Sequence, residues 1–243
     1  METQALLAPV FAVQRSAERA FFDHGWLKTY HSFSFAEYHD PANANWGALR
    51  VFNDDLIAGG SGFPPHPHRD MEIVTYVLRG ELAHRDSMGN HGVVGSGDVQ
   101  FMSAGTGVTH SEFNNSATTP LRLVQMWVLP SRLGEAPSYG QMEFTAEDRR
   151  DRWLQIVSGD NRRAAPIRIT QDATLAVARI EGTSLQYAFA PKRYGFLFVA
   201  DGSVEANGQR LLAGDAVRLY DIGELAVAGE GELVLWDLPG VAS

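Results

Sequence analysis

The sequence predicts an all-β protein organised in two halves. Short apolar alternations interrupted by Gly, Asn and Asp recur along the chain, which is typical of a sandwich or barrel. Helical periodicity is scarce. A third observation, an internal repeat, indicates that the second half duplicates the first. The predicted strands cover residues 73–78, 82–85, 98–102, 121–129, 154–157, 174–180, 195–199, 211–219 and 232–238.

The repeat consists of a strand, a glycine turn, a returning strand and a Gly-Asp turn into the next strand. Its two turns lie at Gly80 and Gly97 in the first half, and at Gly202 and Gly214 in the second. Residues 130–151 between the halves are polar, contain two prolines and have no sustained period. They predict a connection with a short helix at residues 146–152. We therefore expect an N-terminal domain at residues 1–134 and a C-terminal domain at residues 135–243.

Composition and charge exclude several classes of protein. The absence of cysteine excludes disulfide frameworks, thiolate metal sites and cysteine nucleophiles. The net charge of -9 argues against binding nucleic acid through its phosphates. No apolar run approaches the roughly 18 residues of a transmembrane helix, and no secretory signal is visible. We expect a cytoplasmic protein that binds neither nucleic acid nor membrane, and nothing demands more than a monomer.

The histidines are concentrated in the first half, where all eight lie between residues 24 and 110. Among them, His66 and His68 are separated by Pro67. In an extended segment, side chains two residues apart point to the same face, so both imidazoles can reach one point. Pro67 favours that extended conformation because its φ is restricted.

A second pair with the same spacing, His110 and Glu112, follows a glycine-rich run. If two neighbouring strands each direct one pair into a barrel, the four side chains can bind one metal ion and leave coordination positions open. Three imidazoles and a carboxylate without thiolate suit Fe(II), Mn(II), Co(II), Ni(II) or Cu(II) better than a closed structural zinc site. Either pair alone is also compatible with solvated surface residues.

The remaining histidines have plainer interpretations. His84 and His91 are expected to lie next to the site or at the surface, and His24, His31 and His39 to be core or edge residues of an aromatic-rich segment. Asp54 and Asp55 form a carboxylate pair by residue type. Adjacent strand residues point to opposite faces, however, so we do not expect them to share a site.

Two stretches of the first half resemble the pirin family of the cupin superfamily, especially the bacterial pirin-like quercetin 2,3-dioxygenases. They are HPHRDMEIVTYVLRGELAHRDSMGN, which begins at His66, and GDVQFMSAGTGVTHSEFN, which begins at Gly97. The segment HSFSF near the start also fits. The resemblance implies a bicupin fold, with two consecutive jelly-roll (double-stranded β-helix) barrels and few short helices. It also implies that His66, His68, His110 and Glu112 ligate one divalent metal ion in the N-terminal barrel only.

The resemblance further implies a metal-dependent dioxygenase that opens the heterocycle of a flavonol such as quercetin with O2 and releases CO. Fe(II) is the first choice of metal, with Ni, Co, Mn, Cu and Zn as alternatives. Glu112 would then be both a ligand and the catalytic base, and Phe63, Met102 and Trp127 are candidate pocket walls. Two other functions stay open, because one fold hosts many chemistries. They are a metal-binding regulator of a protein partner, and a cupin isomerase acting on another small molecule.

The second half lacks the predicted ligands. At the same offsets from its turn glycines, Ala188 and Ala190 replace the first histidine pair, and Val227 and Gly229 replace His110 and Glu112. We therefore expect the second barrel to bind no metal.

Overall fold

The computed structural model describes residues 8–240, which form nineteen strands, three short 3-10 turns and no α-helix. The first twelve strands are β1 (Val10–Gln14), β2 (Ala20–Asp23), β3 (Leu27–His31), β4 (Leu49–Ile57), β5 (Gly62–His68), β6 (Glu72–Arg79), β7 (Leu82–Asp86), β8 (His91–Val94), β9 (Val99–Ser103), β10 (Val108–Asn114), β11 (Leu121–Val128) and β12 (Ser138–Met142). The others are β13 (Leu154–Ser158), β14 (Ile167–Arg168), β15 (Thr174–Ala188), β16 (Tyr194–Ala206), β17 (Gln209–Leu212), β18 (Ala216–Tyr220) and β19 (Glu224–Leu238). The 3-10 turns lie at Ser16–Glu18, Pro41–Asn43 and Glu147–Arg149.

The first barrel is built from two facing sheets. A seven-stranded sheet in the order β12-β9-β6-β11-β4-β3-β2 faces a four-stranded sheet in the order β5-β10-β7-β8. The second barrel is a single eight-stranded sheet in the order β1-β18-β16-β19-β15-β13-β14, with β17 paired to β16. Its longest strands change register at bulges, which bend a strand so that one sheet can curve around a core. The predicted all-β, two-barrel fold is thus confirmed.

The Gly-Asp turns of the repeat have the same geometry in both halves. The Gly97 N–H donates to the Val77 carbonyl at 2.8 Å, and the Gly214 N–H donates to the Val199 carbonyl at 2.8 Å. Both glycines have a positive φ, 90° and 88°, which a residue with a Cβ adopts only with strain. The glycines noted in the sequence therefore mark equivalent turns.

Several local predictions differ from the structure. Residues 130–151 are not only a connection, because they contain β12, which extends the seven-stranded sheet beside β9. The predicted helix at residues 146–152 is a single 3-10 turn. The predicted strand at residues 211–219 is two strands, β17 and β18, because the Gly214 turn interrupts it.

On each side of the expected boundary after residue 134, one strand pairs with the barrel formed by the other side. β1 comes from the N-terminal part but pairs with β18 of the second barrel, whereas β12 follows the boundary and pairs with β9 of the first. An aromatic cluster also joins the barrels, since the fully buried Phe52 ring lies 4.9 Å from the rings of Phe196 and Phe198. The central strands of the seven-stranded sheet are therefore covered on both faces. One faces the lumen of the first barrel and the other faces the second barrel.

Among residues 8–240, the structure has no helix with the length and apolar character that a membrane crossing requires.

Candidate metal centre

The two predicted pairs lie on neighbouring antiparallel strands of the four-stranded sheet. β5 carries His66 and His68, β10 carries His110 and Glu112, and His110 is directly opposite His66. β5 is the edge strand, where its prolines remove no ladder hydrogen bond from a sheet interior. The register shifts between His110 and Glu112, and such irregularities re-aim side chains beside functional sites.

Three of the predicted imidazoles converge inside the barrel. The ring centroids of His66, His68 and His110 are 4.5 to 4.8 Å apart, and one ring nitrogen from each lies within 4.8 Å of the other two. Trp127 stands edge-on to the His68 ring at 4.9 Å, and Phe63 lies 6.3 Å from the His66 ring. The cluster is therefore bordered by two of the aromatic residues that we expected as walls.

The environment favours the neutral form of His68 and His110. Burial, followed by the neighbouring His66 and His84 rings, lowers the pKa of His110 to about 3. Burial, followed by the His110 and His66 rings, lowers the pKa of His68 to about 4. A neutral imidazole has a lone pair available for a metal, whereas an imidazolium has none. His68 and His110 therefore offer lone pairs at neutral pH.

Glu112 is fully inside the barrel and its carboxylate is held by two amides of the opposite sheet. The Gln100 side chain donates to Oε1 at 2.6 Å, and the Gln125 side chain donates to Oε2 at 2.7 Å. Trp127 Nε1 donates to Gln125 Oε1 at 3.3 Å, which turns the amide N–H groups of Gln125 towards Glu112. One Glu112 carboxylate oxygen lies within 4.8 Å of a ring nitrogen of His110. It does not form a single set of that size with His66, His68 and His110 together.

His84 is a further member of the site that the sequence interpretation left outside the ligand set. It is 1% exposed, lies directly across from Glu112 in the register of β7 and β10, and stacks on Tyr139 at 4.5 Å. His84 and Asp86 have the same i, i+2 spacing as the other two pairs, and this was the sequence signal that could have identified it.

Asp86 holds the His84 ring in place. His84 Nε2 lies 3.2 Å from Asp86 Oδ2, and an ionised carboxylate only accepts hydrogen bonds, so this nitrogen carries the proton. Burial raises the pKa of Asp86, but hydrogen bonds from Asn90 and His84 outweigh it and bring the pKa below its ordinary value. The other ring nitrogen, Nδ1, is buried with no hydrogen-bond partner within residues 8–240.

A divalent transition metal fits these residues. Both ring nitrogens of His110 are buried without a hydrogen-bond partner in the described part of the chain. Leaving buried polar atoms unpartnered is unfavourable, and coordination of a metal ion would satisfy one of the two nitrogens. His66 Nδ1 lies 2.8 Å from the Pro64 carbonyl, which leaves its Nε2 free, as is usual for a metal-binding histidine. The donor set of imidazoles and a carboxylate, without thiolate, suits the metals named above.

The other residues considered in the sequence are distributed as follows. His31 is buried, whereas His24, His39 and His91 are exposed. Asp54 and Asp55 do point apart, since Asp54 receives two hydrogen bonds from Arg122 while Asp55 is enclosed. Burial raises the pKa of Asp55 to about 7.

The cluster reaches the surface at His66 and His68. Both are partly exposed, whereas His110 is 2% exposed. A depression of about 380 Å³ lies next to His68, but its lining includes the outward-facing Pro67 and Thr109 and none of His66, His110 and Glu112. Access to the trio therefore follows from the exposure of His66 and His68 on the β5 side.

Two families match the two halves of the chain. Residues 11–128 match the family described as Pirin, and residues 155–237 match the Quercetinase C-terminal cupin domain. A pirin-like protein of Caulobacter vibrioides is 47% identical over 219 residues, covering 88% of this chain and 94% of the relative. A quercetin 2,3-dioxygenase of Escherichia coli K12 is 39% identical, covering 94% of this chain and 99% of the relative.

A solved structure supports the same assignment. The bacterial pirin YhhW from Escherichia coli in complex with nickel(II) superposes with a TM-score of 0.89 at 37% identity. The match covers 96% of this chain and 100% of YhhW. The two-barrel fold, the two family matches and the extent of these similarities lead to one conclusion: the chain belongs to the pirin family of the cupin superfamily and has a bicupin fold.

Proposed function

We propose that this protein is a metal-dependent dioxygenase that opens the heterocycle of a flavonol such as quercetin, consuming O2 and releasing CO. One observation carries the proposal. Three imidazoles converge beside a buried carboxylate, and two of them, His66 and His68, are partly exposed. Such a site combines metal ligands, a proton acceptor and access for a small molecule.

The names of relatives support the choice of reaction. The Escherichia coli relative is named a quercetin 2,3-dioxygenase, and YhhW was solved with nickel(II). By analogy, His66, His68, His110 and Glu112 would hold one divalent ion here, with Fe(II) as our first choice and nickel as the nearest alternative. The ion would supply Lewis acidity, which makes a phenolic hydroxyl easier to deprotonate, and access to one-electron chemistry with O2.

The chain's own groups account for positioning and proton transfer. A flavonol entering beside His68 would place its 3-hydroxyl towards Glu112, whose carboxylate accepts the hydroxyl proton at an Oε atom. Gln100 and Gln125 orient that carboxylate, so little reorganisation is needed when the proton moves. Trp127 packs against His68 and would form an aromatic wall beside the substrate.

The test begins with anaerobically purified protein reconstituted separately with Fe(II), Ni(II), Co(II), Mn(II), Cu(II) and Zn(II). Aerobic loss of quercetin absorbance and release of CO are then measured together, with metal content determined in parallel. We expect at least one metal to support both signals at equal molar amounts. If every fully loaded form leaves quercetin intact, the dioxygenase proposal is wrong, and a non-enzymatic role for the bound metal gains support.

The role of Glu112 has its own test. Glu112→Gln keeps the size of the side chain but removes the proton acceptor, so we expect metal to remain bound while turnover falls about 100-fold or more. Glu143→Gln, at an exposed position, is the matched control and should be unaffected. Normal turnover in metal-loaded Glu112→Gln would remove Glu112 from the catalytic role.

A further inference from the structure

We infer that the first barrel contains a second, inner position for a divalent ion, formed by His84, His110 and Glu112. It rests on the proposed function only in assuming that this barrel binds such an ion. The outer position, proposed above for His66, His68, His110 and Glu112, shares His110 and Glu112 with it. One ion can therefore occupy either position, and His84 is the ligand that belongs to the inner one alone.

The three inner residues are brought together by the pairing of β7 and β10. Glu112 lies directly opposite His84 in the register, and directly paired residues of antiparallel strands have neighbouring side chains. One potential ligand atom from each of His84, His110 and Glu112 lies within 4.8 Å of the other two. The His84 and His110 rings are 5.3 Å apart.

The His84 ring is prepared for coordination by its neighbours. Asp86 binds the Nε2 side, so the lone pair is on Nδ1, and Nδ1 has no partner among residues 8–240. A carboxylate that accepts from one nitrogen of a histidine while the other nitrogen faces the ion is the usual arrangement around protein-bound metals. Asp86 is held in place without a metal ion, because its carboxylate also accepts hydrogen bonds from Asn90 and from the Met88 N–H.

Charge also favours the inner position. Besides the Glu112 carboxylate, which both positions share, the inner set has Asp86 behind His84. A divalent cation away from water is stabilised by nearby negative charge, and these two carboxylates would balance it. The amides of Gln100 and Gln125 fix the orientation of the Glu112 carboxylate.

The two positions differ in access. His84, His110 and Glu112 are only 1–2% exposed, and the Tyr139 ring covers His84. His66 and His68, in contrast, are partly exposed. The inner position is therefore closed to a bulky substrate, and the outer position is the one that a flavonol can reach. His84 would therefore hold an ion out of reach of the substrate, and His66 and His68 would present it to the substrate.

Anaerobic titration with Co(II) tests this inference, because its visible absorption reports coordination without requiring activity. The central variant is His66→Ala/His68→Ala, which removes both residues that belong only to the outer position. We expect it to bind one Co(II) per chain, with a spectrum distinct from that of the unmodified protein. Adding His84→Phe, which keeps an aromatic ring against Tyr139 but has no nitrogen, should weaken binding about 100-fold or more. Adding His91→Ala at an exposed position is the control and should change nothing.

Asp86→Asn in the same double variant should weaken Co(II) binding about 10- to 100-fold, since it removes the charge behind the ligand. Circular dichroism and thermal unfolding establish that each variant is folded. Two results would overturn the inference: a folded double variant that binds no Co(II), or binding that is unchanged by His84→Phe. In either case the unmodified protein would still bind metal. Loss of binding in the unmodified protein itself would instead refute the proposed function.

Discussion

The amide pair that holds Glu112 leads to a quantitative prediction. Gln100 and Gln125 each donate one short hydrogen bond to a buried carboxylate, at 2.6 and 2.7 Å. Hydrogen bonds to charged groups contribute about 1.5–3 kcal/mol. If Glu112 must be oriented to accept the substrate proton, replacing one glutamine by leucine should lower kcat/KM by this amount, which is about 10- to 150-fold.

The assay compares Gln100→Leu, Gln125→Leu and the exposed control Gln186→Leu in metal-loaded form. Quercetin consumption is measured across substrate concentrations, and metal content is determined for the same samples. We expect the loss to appear mainly in kcat, because the amides act on the proton acceptor rather than on substrate binding. The reasoning is refuted if both core variants, with full metal content, retain kcat within twofold of the control. It is also refuted if activity per bound metal is unchanged.

Three further predictions concern metal binding and stability. His110→Ala removes the histidine common to both positions, so calorimetry should show Co(II) affinity reduced at least as much as in His66→Ala. An unchanged affinity would contradict the site. Phe52→Ala should lower the free energy of unfolding by about 3–5 kcal/mol, because it leaves a cavity against Phe196 and Phe198. Urea unfolding measures this, and a change below about 1 kcal/mol would contradict the packing argument. Burial raises the pKa of Asp55 to about 7, so the metal-free fold should lose stability as pH rises from about 4 through 7, by up to roughly 4 kcal/mol. Asp55→Asn should remove this loss between pH 5 and 8; the same pH dependence in the variant would exclude Asp55 as its source.

Much of the site followed from local spacing. His66 and His68, and likewise His110 and Glu112, are two residues apart, and the alternation of a strand alone places each pair on one face. The turn glycines, Gly97 and Gly214, also follow from the chain itself, because their positive φ is a local property.

The residues that support these pairs could not be found in this way. Gln100 and Gln125 lie on β9 and β11 and reach Glu112 only because two sheets face each other across the barrel. His84 meets Glu112 through the register of β7 and β10, which neither segment specifies alone. Burial also depends on the fold. His31 and His91 are the same residue type, but His31 is buried and His91 is exposed.

Counting residues from the turn glycines also does not identify which residues of the two halves are structurally equivalent. Equal offsets from the turn glycines place Ala188 in correspondence with His66 and Val227 with His110. In the structure, however, Val227 pairs with Leu185 rather than with Ala188. The connections differ in length between the two barrels, so a count along the chain drifts out of register even though the turns are equivalent.

The sequence by itself determined the all-β class, the two halves and the side chains that can act as metal ligands, because strand alternation, glycine conformation and donor chemistry are local properties. Tertiary structure alone decided which of these side chains meet. It brought a third strand with His84 to the site, placed two amides on Glu112, and exchanged β1 and β12 between the halves. The physical reason is that packing across the whole barrel determines strand partners and register, so the sequence of one segment does not specify its partner.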